Sequence, residues 1–293
     1  MRAVRRWSTM PRELVQLTSP FRRTPTDPRT ERLRSEVAEL NEFFAKHTLA
    51  HPTIKHIGWV RKFHLADHPD FKWNKGGRLY SYPPGANVNY QNVDEDTRLQ
   101  MKIDEVPVVE IDISSSYLSI FYAWNDHQLD TEQDAYRDIL GPTDIDRLVA
   151  KFWINASFGN SALLSKWSKP LKQDLQDKLV KKGMAPSAFD PKRYPMKMIK
   201  EKALQQHPLL ERWGGKIRGR VRDYGDLMFT ESEVVIGTML VLKREHRVPS
   251  MPVHDSLIVP HTKRKLAEQL LKDQFRRKTG VVPRLDVSSP WDF

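Results

Sequence analysis

The sequence predicts an α+β chain built on an antiparallel sheet, and three observations carry that prediction. Val108-Val-Glu-Ile-Asp112 is a short apolar run of β-branched residues behind Pro107, which reads as a buried strand reaching a carboxylate. Val248-Pro-Ser-Met-Pro-Val-His254-Asp255-Ser256-Leu-Ile-Val-Pro260 sets two short apolar arms around His-Asp-Ser, the pattern of a β-hairpin with an aspartate at its turn. Between them, apolar residues recur at helical spacing over 143–161 and 229–245.

Composition narrows the class. The 293 residues suffice for one large or two small domains, and 39% hydrophobic content is compatible with a globular protein. No apolar run approaches the ~20 residues of a membrane helix, so no membrane partner is expected. The absence of cysteine removes disulfides, thiolate catalysis and Cys-based zinc sites, and fits a reducing compartment. A net charge of +11 points to a polyanionic partner, because Lys and Arg that neutralise phosphates gain from counterion release.

In chain order, residues 1–28 carry Arg2, Arg5, Arg6, Arg12, Arg22 and Arg23 against Glu13 and Asp27, and read as a flexible basic arm. An Arg-rich, acid-poor start also resembles an organellar transit peptide, but Pro11, Pro20, Pro25 and Pro28 interrupt any long amphipathic helix. A cytoplasmic setting in a bacterium, phage or mobile element is therefore preferred, with an organellar one left open. Residues 30–47 read as a helix through Leu33, Val37, Leu40, Phe43 and Phe44, and residues 50–75 show no clear period. Gly76-Gly-Arg78-Leu-Tyr-Ser81 reads as a loop in which two glycines admit a large partner, and Gln91 and Asn92 carry amides suited to groove acceptors.

Asp112 then stands at the end of its strand, ahead of Ser114, Ser115 and Ser116. A carboxylate followed by small residues suits Mg²⁺, which takes oxygen ligands and keeps substrate phosphates in its shell. The alternative is a helix cap with turn residues behind it. In the 143–161 helix, capped by Thr143 or Asp144, Arg147 and Lys151 are four residues apart and share a face, ahead of Asn155 and Phe158. Such a pair complements adjacent phosphates, or is simply a solvated basic face. Residues 165–222 interleave cations with Trp167, Tyr194 and Trp213 and end in Lys216, Arg218 and Arg220, a combination suited to phosphate contacts and base stacking. A final helix over 263–278 and an extended segment close the chain.

In this order, the pieces resemble the palm and fingers of the family A DNA polymerases and their relatives, the single-subunit phage-type RNA polymerases. The resemblance runs from about Gly76 to the end. Val-Glu-Ile-Asp112 looks like motif A with the first metal-binding aspartate, Arg147-Leu-Val-Ala-Lys151 through Phe158-Gly159 like motif B, and Val253-His-Asp255-Ser like motif C with the second. Gly77-Arg78-Leu-Tyr-Ser with Gln91-Asn92 is similar to the upstream template-and-primer contact segment. Departures are Phe158 where family A DNA polymerases have Tyr, a spacing from Lys151 one residue shorter and nearer family B, and Ser256 as in the phage-type RNA polymerases.

The resemblance implies an antiparallel-sheet polymerase palm at 76–135 and 223–293, helical fingers at 136–222, and a helical N-terminal region at 29–75 as a vestigial thumb. It leaves no room before Gly76 for a proofreading exonuclease domain, and a protein partner would be needed for processivity. It implies template-directed addition of dNTPs to a primer 3′-hydroxyl with two Mg²⁺ ions, Mn²⁺ being a substitute, held by Asp112, Asp255 and the Ile113 carbonyl. Lys151 becomes the proton donor to pyrophosphate. Arg147, Lys151, Asn155 and Phe158 become nucleotide contacts, and Arg78, Gln91, Asn92, His254, Lys216, Arg218 and Arg220 primer-template contacts. Tyr117 falls at the position where a bulky side chain excludes a ribose 2′-hydroxyl. The alternatives are an RNA polymerase or primase using rNTPs, a non-catalytic nucleic-acid-binding palm, and a metal-dependent nuclease.

Overall fold

The computed structural model describes residues 10–84 and 88–291. The chain divides into two units, Met1–Ser116 with Gly225–Phe293, and Tyr117–Tyr224. The chain is α+β, and its larger sheet is antiparallel throughout. Among the described residues no helix is long and apolar enough to cross a membrane.

In the first unit, helix α1 (Pro28–Phe44) starts at a capping box. Asp27 accepts from the backbone N–H groups of Arg29 and Thr30, and the Thr30 hydroxyl takes the Asp27 N–H. Pro28 occupies the first turn, where a missing N–H costs nothing. The helix buries Val37, Leu40 and Phe44 and packs on strand β4 (Gly58–Phe63). Asn41 fixes the contact, donating to the Trp59 carbonyl at 2.9 Å and accepting the Trp59 N–H at 2.7 Å.

Strand β4 pairs antiparallel with β5 (Gly76–Tyr82) and parallel with β1 (Val15–Thr18), which pairs with β2 (Phe21–Arg22). The basic arm expected through residue 28 is thus corrected. Val15 and Leu17 alternate into the interior and are 0% and 6% exposed, a strand pattern that the surrounding arginines and prolines concealed. Residues 1–9 of that arm lie outside the described residues. The expected loop at Gly76 is likewise strand, and the partner its glycines admit belongs to the same unit. A β-carbon on Gly77, whose φ is +78°, would stand 3.0 Å from Phe63 and 3.2 Å from Phe229 of helix α7 (Tyr224–His246).

The second sheet runs β10 (Met251–Val253), β11 (Ser256–Pro260), β7 (Val106–Ile113), β6 (Lys102–Ile103) and β3 (Leu49–Ala50), with β12 (Leu285–Ser288) also on β7. Strand β7 is buried from Val108 to Ile111, as its β-branched run predicts. Helix α8 (Arg264–Thr279) covers this sheet with Ala267, Leu271 and Phe275. Residues 29–75 contribute α1, β3 and β4 to this unit, and the short helix α2 (Glu95–Leu99) lies between β5 and β6.

The second unit holds most of α3 (Ser116–Trp124), then α4 (Asp144–Gly159), α5 (Lys169–Lys181), α6 (Met196–Gln206) and the ribbon of β8 (Lys216–Ile217) with β9 (Arg220–Val221). Helix α4 opens on the Thr143–Asp146 capping box, and Tyr194 Oη donates to Asp146 Oδ1 at 2.8 Å. Of the aromatics expected as stacking platforms, Tyr194 and Trp213 face inward and Trp167 is half-buried. Tyr194 is 2% and Trp213 5% exposed, Trp213 Nε1 donates to the Ser157 carbonyl, and Trp167 Nε1 to the Tyr194 carbonyl.

Candidate active site

The antiparallel register brings the two motif aspartates to one end of neighbouring strands. Asp112 stands opposite Ser256, and Ile113 N–H donates to the Asp255 carbonyl at 3.3 Å. Asp255 and His254 form the two-residue turn of the β10–β11 hairpin, with His254 at a φ of 54°, the positive-φ geometry such turns require. Both aspartates are half-buried. Asp286 of β12 stands opposite Asp112 on the other side of β7; it is exposed and takes Arg284 Nε at 3.1 Å.

Behind the aspartates the polar groups are tightly engaged. Glu110, two residues before Asp112 and therefore on the same strand face, is 5% exposed and takes Arg98 through Nε at 2.7 Å and Nη2 at 3.1 Å. Ser256 Oγ lies 2.5 Å from Glu110 Oε1 and 2.9 Å from the Val253 carbonyl. The hairpin is stapled to β5 from below. Tyr90 Oη accepts from Trp59 Nε1 at 2.7 Å and donates to the Pro252 carbonyl at 3.0 Å. Gln91 Nε2 donates to the Leu79 and Pro252 carbonyls at 3.0 and 2.9 Å, and its Oε1 takes the Ser81 N–H.

Arg78 of β5 reaches the same place. Its Nε and Nη2 both donate to Glu231 Oε1, the first at 3.1 Å, and its Nη1 lies 3.2 Å from His254 Nδ1. A guanidinium only donates, so Nδ1 accepts and the imidazole is neutral. Desolvation of the ring, helped by the Arg78 charge, holds the His254 pKa down to about 4 although one edge reaches solvent. Glu231, on α7, is 1% exposed and also takes the Ser116 hydroxyl at 2.9 Å. Burial pushes its carboxyl up to about 7; the Asp255 charge adds to the rise and Arg78 opposes it.

The structure thus assembles Asp112, Asp255, Arg78 and His254 in the first unit. Gln91, expected to read a groove, is corrected to a structural staple, since its amide is committed to three backbone groups. Asn92 follows it, its N–H donated to the Asn89 carbonyl. In the second unit, Arg147, Lys151 and Asn155 lie half-buried along α4; Arg147 Nε donates to Asp134 Oδ2 at 2.5 Å, and Lys151 Nζ lies 5.7 Å from the Tyr136 ring centre. Phe158 is corrected to a core residue: it is 0% exposed and packs edge-on to Trp213 at 4.9 Å and against Phe121 at 5.5 Å. Tyr117 Oη donates to Tyr224 Oη at 3.3 Å. Lys216 and Arg218 are exposed on the ribbon beside half-buried Arg220, and Arg218 holds Asp126 Oδ1 at 2.6 Å.

Sequence reasoning missed Glu231. A signal was present: Leu227 lies four residues before it and Val234 three after, so an acid occupies the apolar stripe of α7. Among the described residues no three His, Cys, Asp or Glu side chains stand together as a ready cation cage. The two-aspartate donor set still suits Mg²⁺, being hard oxygen only.

No protein-family model matches the chain, and no curated protein matches it. Among solved structures it is similar to the POL domain of Pol1 from M. smegmatis, in complex with DNA primer-template and dNTP, at 14% identity and a TM-score of 0.37. The match covers 89% of this chain and 51% of that one, so the chain spans about half the length of the structure it resembles.

Proposed function

We propose that the chain is a template-directed DNA polymerase that adds dNTPs to a primer 3′-hydroxyl. The observation that carries this reading is the register that sets Asp255 beside Ile113, so that two carboxylates distant in sequence end adjoining antiparallel strands. Asp112, Asp255 and the Ile113 carbonyl would hold divalent ions. When bound, such ions activate the hydroxyl and stabilise the pyrophosphate leaving group.

The remaining roles belong to the protein's own side chains. Arg147 and Lys151 bind the β- and γ-phosphates, Arg147 as a fork and Lys151 as a point charge and proton donor to pyrophosphate. Tyr117 excludes the 2′-hydroxyl by a clash. Lys216, Arg218, Arg220 and Asn92 contact the primer-template, a role the net charge of +11 supports. Arg78 and His254 support the turn that carries Asp255. The runner-up, an rNTP-using polymerase or primase, is favoured by Ser256 following Asp255.

Purified protein given a primed template, Mg²⁺ and dNTPs is expected to extend the primer. Asp112→Ala and Asp255→Ala are expected to abolish extension while leaving the circular dichroism of the fold intact. Normal extension by either variant sinks the assignment. Faster incorporation of rNTPs than dNTPs by the wild type would select the runner-up, and Tyr117→Ala is expected to relax sugar choice.

A further inference from the structure

Glu110 places a buried carboxylate in a strand whose other buried members, Val108, Val109, Ile111 and Ile113, are apolar. A buried ion pair adds little stability over apolar side chains of like volume, so packing alone does not account for it. Its contacts do. Arg98 of α2 holds it with Nε on Oε2 at 2.7 Å and Nη2 on Oε1 at 3.1 Å, and is itself tied to the Val93 carbonyl at 2.6 Å. On the other side, Oε1 accepts the Ser256 hydroxyl at 2.5 Å. The register pairs Glu110 with Ile258 and Asp112 with Ser256, so this bond runs diagonally between β7 and β11. Ser256 directly follows Asp255, and Glu110 lies two residues before Asp112 on the same face. One carboxylate therefore joins the two segments that bear the aspartates.

We infer that Glu110 is a positioning residue: held by Arg98, it fixes the Ser256 hydroxyl and so sets the spacing at which Asp112 and Asp255 meet a divalent ion. The inference rests on the reading of those aspartates as metal ligands. The turn at His254 and Asp255 is anchored on its first arm by Tyr90 and Gln91, which hold the Pro252 carbonyl, and on its second by Glu110 through Ser256. The backbone bond between the aspartate-bearing ends, Ile113 N–H to the Asp255 carbonyl, is 3.3 Å long. That exceeds the usual ~2.7–3.2 Å, so the ladder by itself sets their spacing loosely. The consequence is selectivity between ions. Mg²⁺ demands near-ideal octahedral geometry and loses affinity when a ligand is misplaced. The larger Mn²⁺, at home among the same oxygen ligands, is less exacting.

The test is ion binding to the full chain without nucleic acid: Mn²⁺ by loss of the free-ion electron paramagnetic resonance signal, Mg²⁺ by its displacement of Mn²⁺. Ser256→Ala cuts the link and leaves both aspartates in place. It is expected to weaken Mg²⁺ binding by about tenfold and Mn²⁺ binding by about threefold or less. Ser256→Thr keeps the hydroxyl and is expected to restore both. Glu110→Leu with Arg98→Met removes both charges together and leaves the Ser256 bond to the Val253 carbonyl, and is expected to repeat the selective loss of Mg²⁺. Adding Ser256→Ala to that double variant is expected to cost little more, since both act through one link. A role confined to stability predicts equal losses for the two ions, in proportion to the fraction unfolded. Equal losses, unchanged Mg²⁺ affinity in Ser256→Ala, or a Ser256→Thr variant no better than Ser256→Ala overturns the inference. Should the double variant fail to fold, the two serine variants decide alone. Asp255→Asn separates the two readings. If it binds both ions as the wild type does, the metal assignment itself falls; if it loses them while Ser256→Ala is unaffected, only the positioning role falls.

Discussion

Asp226→Ala is expected to be among the most damaging single changes in the first unit, although Asp226 lies outside the proposed chemistry. Lys75 Nζ and Asp226 Oδ2 are 2.7 Å apart, and their side chains are 0% and 1% exposed. Deleting the carboxylate takes the Asp226 charge away from an ammonium whose side chain is fully buried. Breaking a buried pair by removing one partner costs about 3–5 kcal/mol, a large part of the ~5–15 kcal/mol that holds a domain folded. Asp226 also lies in the first turn of α7, where a negative charge meets the positive end of the helix dipole, adding ~0.3–1 kcal/mol. Replacing both partners by apolar residues of similar volume, Lys75→Met with Asp226→Leu, removes both buried charges together and is expected to lie within about 1–2 kcal/mol of the wild type or above it. Urea denaturation followed by tryptophan fluorescence measures both. The reasoning fails if Asp226→Ala costs less than about 1 kcal/mol, or if the double variant is as unstable as the single one.

Tyr90→Phe deprives Trp59 Nε1 of its acceptor in a place where Trp59 is 1% and Tyr90 0% exposed, and is expected to cost about 1–3 kcal/mol in urea midpoint analysis. The Pro252 carbonyl keeps Gln91, so a loss above that range would show that the hairpin itself had come away. His56 sets an acid limit. Burial among Phe44, Trp59 and Tyr90 pushes its pKa from 6.5 down to about 3, so the folded ring stays neutral where the unfolded one takes up a proton. Its contribution is complete above pH 6.5 and is lost as pH falls toward 3, at ~1.4 kcal/mol per pH unit. His56→Phe is expected to flatten the stability profile by one proton across that window, and an unchanged slope would refute it.

What the sequence made legible had local causes. The cap Thr143, the β-branched run of β7 and the two apolar arms of the β10–β11 hairpin each act within a few residues, and each stands where its pattern says. Strand β4 was not legible because Gly58-Trp-Val-Arg-Lys-Phe63 carries a buried Arg61, whose partners Glu36, Glu233 and the Gly77 carbonyl all lie elsewhere in the chain. Strand β5 opens on two glycines that read as a turn until Phe229 and Ser232 of α7 are seen against Gly77. The same limit bears on the residues proposed for the site. Asp112 and Asp255 sit at strand ends, where local pattern finds them, whereas Phe158 and Gln91 have side chains as suited to a core or a staple as to a ligand, and only their distant partners decide.

Helix α7 shows why those distant partners are charged. Asp226, Glu231 and Glu233 take Lys75, Arg78 and Arg61, three cations carried by β4, β5 and the residue leading into β5. Buried pairs give little net stability over apolar replacements, so stability alone does not account for three of them. They do set register: sliding the helix by one residue would rotate every acid about 100° off its cation, whereas an apolar seam tolerates such a slip. The three are not equivalent. Glu233, despite its burial, is drawn below the usual carboxylate value by Arg61 and Lys278, while Glu231 is raised by burial and by Asp255 against the pull of Arg78. Two pairs can therefore hold the helix while the third answers to the charge at the hairpin turn.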